Sequence, residues 1–279
     1  MVRDLINWIL ELTLGREQRI RLGRNIFCHA RGLCNFDPPV NGEYRIVRIL
    51  AGSFPPDAIF FDIGVNFGEW SQYILGLTQD SKVYAFEPAT PAFRRATDAI
   101  RNAGLEKRVQ LFQWALGDRG GEAQLHLMGH TAGSHSLHLR HAETSGIGPQ
   151  GSELVRVARG DEVCRDLGIR RIHFAKIDTE GHEVFVLRGF EEMLSAGMID
   201  CLQFEYDPSW IDSRTYLLDV FEFLLPKGYM IARLHPDGIE VFDKYDQRQE
   251  TFLYCNYIAF LPELLPKLGP VVDPEPPLG

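Results

Sequence analysis

Two groups of residues in this sequence are placed to do chemistry. Residues 172 to 183, Ile-His-Phe-Ala-Lys-Ile-Asp-Thr-Glu-Gly-His-Glu, form an apolar run that ends in four ionisable side chains, Asp178, Glu180, His182 and Glu183. The next apolar run, Cys201-Leu-Gln-Phe-Glu-Tyr-Asp207, delivers Glu205 and Asp207. A hydroxyl becomes a good nucleophile when its proton leaves, which requires a general base in reach or a metal ion that acidifies the oxygen. Asp178, Glu180, His182 and Glu205 suit either task. His182 is the natural base, because an imidazole titrates near working pH and neighbouring carboxylates are expected to raise its pKa. Its bland alternative is to cap the turn before the following helix. Asp178 and Glu205, with Asp207, could instead share a divalent cation through hard oxygen ligands, a reading that ligand type alone leaves open.

The second group begins with residues 59 to 68, Ile-Phe-Phe-Asp-Ile-Gly-Val-Asn-Phe-Gly. Three consecutive large apolar residues call for burial on both faces of a strand, and Gly64 and Gly68 let the backbone turn and approach a ligand. Asn66, between them, tolerates positive φ. Apolar residues at helical spacing follow over 67–78, so the free amide donors of a helix start should face the ligand. A second strand, Lys82 to Phe86, ends on Glu87, whose carboxylate can accept from both hydroxyls of a ribose. Pro88 stops that strand. A nicotinamide fingerprint places glycines at its first, third and sixth positions to keep a pyrophosphate close. Here they are four apart, which suits a phosphate-free adenosine cofactor, and the chain resembles the class I methyltransferases that bind S-adenosylmethionine.

These residues need a scaffold, and the pattern supplies one. Strands and helices alternate from Ile59: strand 82–87, helix 91–103, strand 109–115, helix 161–167, strand 172–178, helix 183–196 and strand 200–206. That rhythm predicts an α/β fold with a doubly wound, mostly parallel, Rossmann-like sheet. Helix 214–225, strand Tyr229 to Leu234, a polar excursion over 235–250 and strand Thr251 to Phe260 predict an antiparallel hairpin at the end. Open parallel sheets bind ligands outside their carboxyl ends, so Asp178, Glu180 and His182 should lie near the glycine turn. The expected organisation is a helical extension or lid over 1–57, the cofactor domain over 58–261 with a two-stranded insertion at about 119–158, and a disordered Pro-rich tail over 262–279.

Lys176-Ile-Asp-Thr-Glu-Gly-His-Glu183 looks like the signature of the FkbM family of S-adenosylmethionine-dependent methyltransferases, and Asp62-Ile-Gly-Val-Asn-Phe-Gly68 is similar to its first motif. Asn41-Gly-Glu43, Phe86-Glu-Pro88, Ala115-Leu-Gly-Asp118 and Leu187-Arg-Gly189 extend the likeness over roughly 41–260, with Val65 where members commonly have alanine. The resemblance implies methylation of a hydroxyl oxygen, typically on a sugar, glycan or secondary metabolite. It also implies Asp62, Gly64, Asn66 and Gly68 at the methionine end, Glu87 on the ribose, and Trp114 with Ala115 beside adenine.

Composition bounds the partners. With 29 basic and 38 acidic residues the net charge is -9, and no basic stripe with interleaved aromatics is present, which disfavours nucleic acid. Five scattered cysteines without a Cys-x-x-Cys pair suit a reducing, cytoplasmic setting. No apolar run reaches the ~20 residues that span a bilayer. The apolar, interrupted start, Met1 to Leu14, reads as an amphipathic helix that caps the domain, joins a homodimer or touches a membrane surface. Five of the nine histidines, His126, His130, His135, His138 and His141, crowd the insertion without metal-ligand spacing, so it is expected to be a lid on the acceptor side, with Ser134 and Ser136 either acceptor contacts or merely solvated. Trp210 is expected either at the pocket edge on a sugar ring or in the core, Trp70 in the core and Glu69 in solvent. The competing functions are a noncatalytic cofactor-binding scaffold and, disfavoured by glycine spacing, a nicotinamide-dependent oxidoreductase.

Overall fold

The computed structural model describes residues 8, 10–128, 135–140 and 149–272. Eleven strands are present among them: β1 (Ile59–Ile63), β2 (Lys82–Phe86), β3 (Val109–Phe112), β4 (Trp114–Leu116), β5 (Gly121–Met128), β6 (Pro149–Ala158), β7 (Phe174–Ile177), β8 (Cys201–Tyr206), β9 (Met230–Leu234), β10 (Ile239–Phe242) and β11 (Cys255–Phe260). Eight form the main sheet in the order β10-β9-β11-β8-β7-β1-β2-β3. Strands β3, β2, β1, β7 and β8 are mutually parallel, and β11 runs antiparallel to both β8 and β9. The expected closing pair, β9 and β11, is therefore adjacent and antiparallel. The excursion over 235–250 adds a further strand, because Ile239 and Glu240 are buried and β10 pairs with β9.

Chain order reverses beside β1: β2 and β3 lie on one side, β7 and β8 on the other. Such a switch point opens a crevice at the strands' carboxyl ends. Register aligns its two walls, since Ile63 sits opposite both Phe86 and Ile177, leaving Gly64, Glu87 and Asp178 level with one another. Apolar residues cover both faces of the sheet. On one, helices Glu43–Ala51 and Glu69–Leu77 contribute Ile46, Val47, Leu50, Trp70 and Ile74, and on the other, Val163, Val184, Leu187, Trp210 and Leu224 pack. Helix Glu43–Ala51 thus belongs to the core although it lies within the segment expected as a lid.

Several boundaries differ from expectation for local reasons. The strand expected over 109–115 breaks at Gln113, and β4 leaves for a separate sheet of order β4-β6-β5, pairing Trp114 with Arg156 and Ala115 with Val157. The insertion contributes its two strands, β5 and β6, to that sheet, and β4 makes the third. The helix expected over 183–196 divides at Phe190, because Asp161 caps a fresh start by accepting from the Glu192 and Met193 amides at 2.9 and 3.0 Å. Helix Leu217–Leu224 starts late, after Arg214 takes φ +57°. The strand expected from Thr251 begins at Cys255, after Phe252 takes φ +49° and its amide donates to the Tyr206 hydroxyl. The tail, expected to lack regular structure, forms a 3-10 turn over Pro262–Lys267, buries Leu268 and bridges Val271 to Ile239. Residues 273–279 lie outside the described residues. No described helix is long and apolar enough to cross a membrane.

Gly64 is the tightest point. Its φ is +88°, and a Cβ there would stand 1.7 Å from the carbonyl oxygen of Asp178. Gly64→Ala should force β1 and β7 apart at their tips and destabilise the chain by about 3 kcal/mol or more. A urea melt within 1 kcal/mol of wild type, to order of magnitude, would contradict this packing.

Candidate active site

The crevice at the switch point holds a cavity enclosing about 740 Å³, open solvent at its mouth included. Its floor comes from the β1 turn. Gly64 and Asn66 line it, with Asn66 at φ +51°. The Asn66 Oδ1 atom is buried without a hydrogen-bond partner among the described residues, an acceptor that a bound donor would satisfy. Glu87 forms the next wall. One carboxylate oxygen accepts from the Asn66 amide at 2.9 Å and the other from the Ala89 amide at 2.9 Å. Each oxygen has a second lone pair, so the carboxylate can still receive the two hydroxyls of a ribose. Burial raises the Glu87 pKa to about 7 against those amide bonds. Trp114 and Ala115 line the same cavity from β4, and the Arg156 guanidinium covers the Trp114 ring at 3.8 Å.

Two residues expected to touch the cofactor do not line the cavity. Asp62 is 1% exposed and accepts from the Ser71 hydroxyl at 2.6 Å, tying β1 to the helix behind the turn. Gly68 precedes that helix at φ +79°. Both shape the turn from beneath.

Asp178, Glu180, His182 and Glu205 all face the cavity. They differ in how they are held. Asp178 accepts from Lys176 at 2.7 Å, and Lys176 also lies 3.6 Å from Glu43. Burial would lower the lysine's pKa, but Asp178, Glu43 and Asp62 outweigh it, so the ammonium persists. Glu180, at φ +56°, is ion-paired with Arg140, and burial still raises its pKa well above the carboxylate range. Glu205 is raised likewise by burial, then by Asp178 and Glu180, and no described group hydrogen-bonds its carboxylate. Asp207 is spent on the Ser209 amide at 2.9 Å.

His182 behaves opposite to expectation. Instead of carboxylates, its neighbours are the Phe185 ring, stacked at 4.6 Å, and His138, whose Nε2 lies 2.9 Å from Nδ1 of His182. Burial and His138 depress its pKa to about 3, leaving a neutral imidazole and a poor proton acceptor. Among the described residues, no three of His, Cys, Asp and Glu converge where an ion could sit, and the envisaged Asp178–Glu205 cation would compete with Lys176.

The insertion does reach the site. His135 and Leu137 line the cavity. Ser136, expected on the acceptor, is buried and donates to the Glu180 carbonyl at 2.7 Å, so it fastens the insertion to the loop after β7. His126 bridges to Ser136, while Ser134, His130 and His141 lie outside the described residues. Trp210 is fully buried against Phe204 and Tyr206, Trp70 stacks on Phe174, and Glu69 is exposed.

Glu183, named in the sequence only as part of the charged run and given no role of its own, shapes the loop after β7. Its carboxylate accepts from the Thr179 amide at 2.7 Å, the Thr179 hydroxyl at 3.0 Å and the Gly181 amide at 3.0 Å, with its pKa raised to about 8, chiefly by burial. The Thr179 to Glu183 spacing, a loop closed by the first acid of a helix, was the available signal.

A switch-point crevice with a glycine turn on one strand and an acid closing the next defines a nucleoside-cofactor site of the class I methyltransferase type. The family model described as the methyltransferase FkbM domain matches residues 62–231, and the chain belongs to that family. It is 27% identical over 205 residues to the 2-O-methyltransferase NoeI of Sinorhizobium fredii, covering 70% of this chain and 81% of that one. It is 25% identical over 158 residues to the hexuronic acid methyltransferase AglP of Haloferax volcanii, covering 56% and 60% respectively, so it spans under two thirds of that relative. Among solved structures, an O-methyltransferase from Bacillus cereus in complex with SAH is 10% identical, with a TM-score of 0.43 over 92% of this chain and 97% of that one.

Glu87 and Glu183 titrate above the unfolded range, so the folded chain retains protons that the unfolded chain releases. The stability this contributes is full below about pH 4 and is lost as pH rises through about 7 to 8. Unliganded wild type should therefore lose stability from about pH 5 to about pH 8 with a steeper slope than Glu87→Gln in thermal melts. Parallel slopes for the two proteins would show that Glu87 does not titrate there.

Proposed function

We propose that this protein transfers the methyl group of S-adenosylmethionine to a hydroxyl oxygen of a sugar, glycan or glycosylated small molecule. The observation that carries the reading is the Glu205 carboxylate: it faces the cavity beside the Glu87 ribose cradle, titrates well above its usual range and has no hydrogen-bond partner among the described residues. The name of the AglP relative, a hexuronic acid methyltransferase, supports a sugar acceptor, and that of NoeI, a 2-O-methyltransferase, supports transfer to oxygen. The net charge of -9 favours such an acceptor over nucleic acid, and five free cysteines suit a reducing cytoplasm.

The cofactor, when bound, supplies an electrophilic methyl carbon on a sulfonium. Glu87 would hold its ribose, Asn66 Oδ1 would accept from its polar end, and Trp114 would pack against its base. The chain's own chemistry is alignment and proton removal. Glu205, in its ionised form, would take the hydroxyl proton as the acceptor oxygen reaches the methyl carbon that the cofactor would supply. A carboxylate with a raised pKa is better matched to that proton than an ordinary one. Glu180, tied to Arg140, and neutral His182, tied to His138, then shape the acceptor side.

S-adenosylhomocysteine should raise the melting temperature while NAD leaves it unchanged, and silence from both would favour a scaffold. With a methyl-labelled donor and a panel of monosaccharides and uronic acids, Glu205→Gln should lower turnover about a hundredfold or more at nearly unchanged cofactor affinity. Wild-type turnover should fall on acidification as Glu205 takes a proton. If Glu205→Gln turns over normally and His182→Ala does not, the base is misassigned.

A further inference from the structure

Helix Arg16–Ala30 leaves most of its surface uncovered. Only Cys28 on it is buried, while Ile20, Leu22, Ile26 and Phe27 are 56%, 40%, 60% and 41% exposed. A helix of this length is marginal in water on its own, so uncovered apolar surface along it marks a docking face. At 100° per residue, Leu22, Ile26, Ala30, Gly23, Phe27 and Ile20 fall within one arc of roughly 160°, with Arg16 and Arg19 interleaved among them. Arg21, Arg24, Asn25 and Gln18 occupy the other side. Upstream, Trp8 and Leu12 are 59% and 66% exposed.

Charge identifies the partner. The helix carries four arginines against one glutamate, in a chain of net charge -9. Arg21 pairs with Glu17 at 2.6 Å and Arg19 with Glu11 at 3.3 Å, whereas Arg16 and Arg24 are exposed with no carboxylate partner among the described residues. We propose that this helix docks flat on an anionic lipid surface. Its apolar side chains enter the acyl boundary, while Arg16, within the arc, and Arg24, just beyond its Ile20 edge, extend their guanidiniums to the phosphates. A second copy fits less well, because a twofold pairing through this face would set Arg16 and Arg19 close to their own symmetry mates.

Flotation of the full chain with phosphatidylcholine vesicles, alone or mixed with an equal part of phosphatidylglycerol, tests the proposal. Association is expected with the anionic vesicles only. Arg16→Gln with Arg24→Gln should weaken it about thirtyfold, the scale for two arginines at an anionic surface. Ile20→Ser with Phe27→Ser should abolish it, and both variants should keep the wild-type circular dichroism melt. Association with neither vesicle, equal association with both, or a dimer in sedimentation that the serine variant dissociates would overturn the proposal.

Discussion

A buried carboxylate at the end of β2 governs the site. Glu87 accepts from the Asn66 amide of one loop and the Ala89 amide of the next, so one side chain joins the two tips that a nucleoside must touch. Burying a carboxylate is costly unless donors compensate it, and here the compensation is only partial, as the pKa of about 7 records. Ribose hydroxyls would complete it. The unpartnered Asn66 Oδ1 has the same character, and both atoms are therefore better satisfied with a ligand than without one.

The acceptor side follows the same logic with less compensation. Asp178, Glu180, Glu183, Glu205 and Asp207 gather near two cations, Lys176 and Arg140. Burial and then charge repulsion push protons onto Glu180, Glu183, Glu205 and Asp207. A fold would discard such a cluster if stability were the only demand. Its members are separated by their partners: Asp178 by lysine, Glu180 by arginine, Asp207 and Glu183 by loop amides, which leaves Glu205 facing the cavity without a partner among the described residues.

The parts of the fold and site that were legible in the sequence depend on local chemistry. Glycines 64 and 68 and the acid at 87 sit within one strand-helix-strand unit, where spacing alone fixes their placement, and the alternation from Ile59 onward gave the doubly wound sheet. What the sequence hid depends on distant pairing. Nothing around Gln113 reveals that Trp114 will pair with Arg156 in another sheet, and nothing around His182 reveals His138, 44 residues away, so the direction of its pKa shift came out wrong. Asp62 illustrates a subtler limit: the residue is at the turn, but whether its carboxylate points to the ligand or to Ser71 is decided by side-chain direction along β1.

The most direct test is a crystal structure with S-adenosylhomocysteine. Both ribose hydroxyls should lie within about 3.2 Å of the Glu87 carboxylate, with the sulfur directed toward Glu205 and a donor on Asn66 Oδ1. A ligand bound elsewhere, or a ribose turned away from Glu87 with that carboxylate still held only by its two amides, would contradict the account.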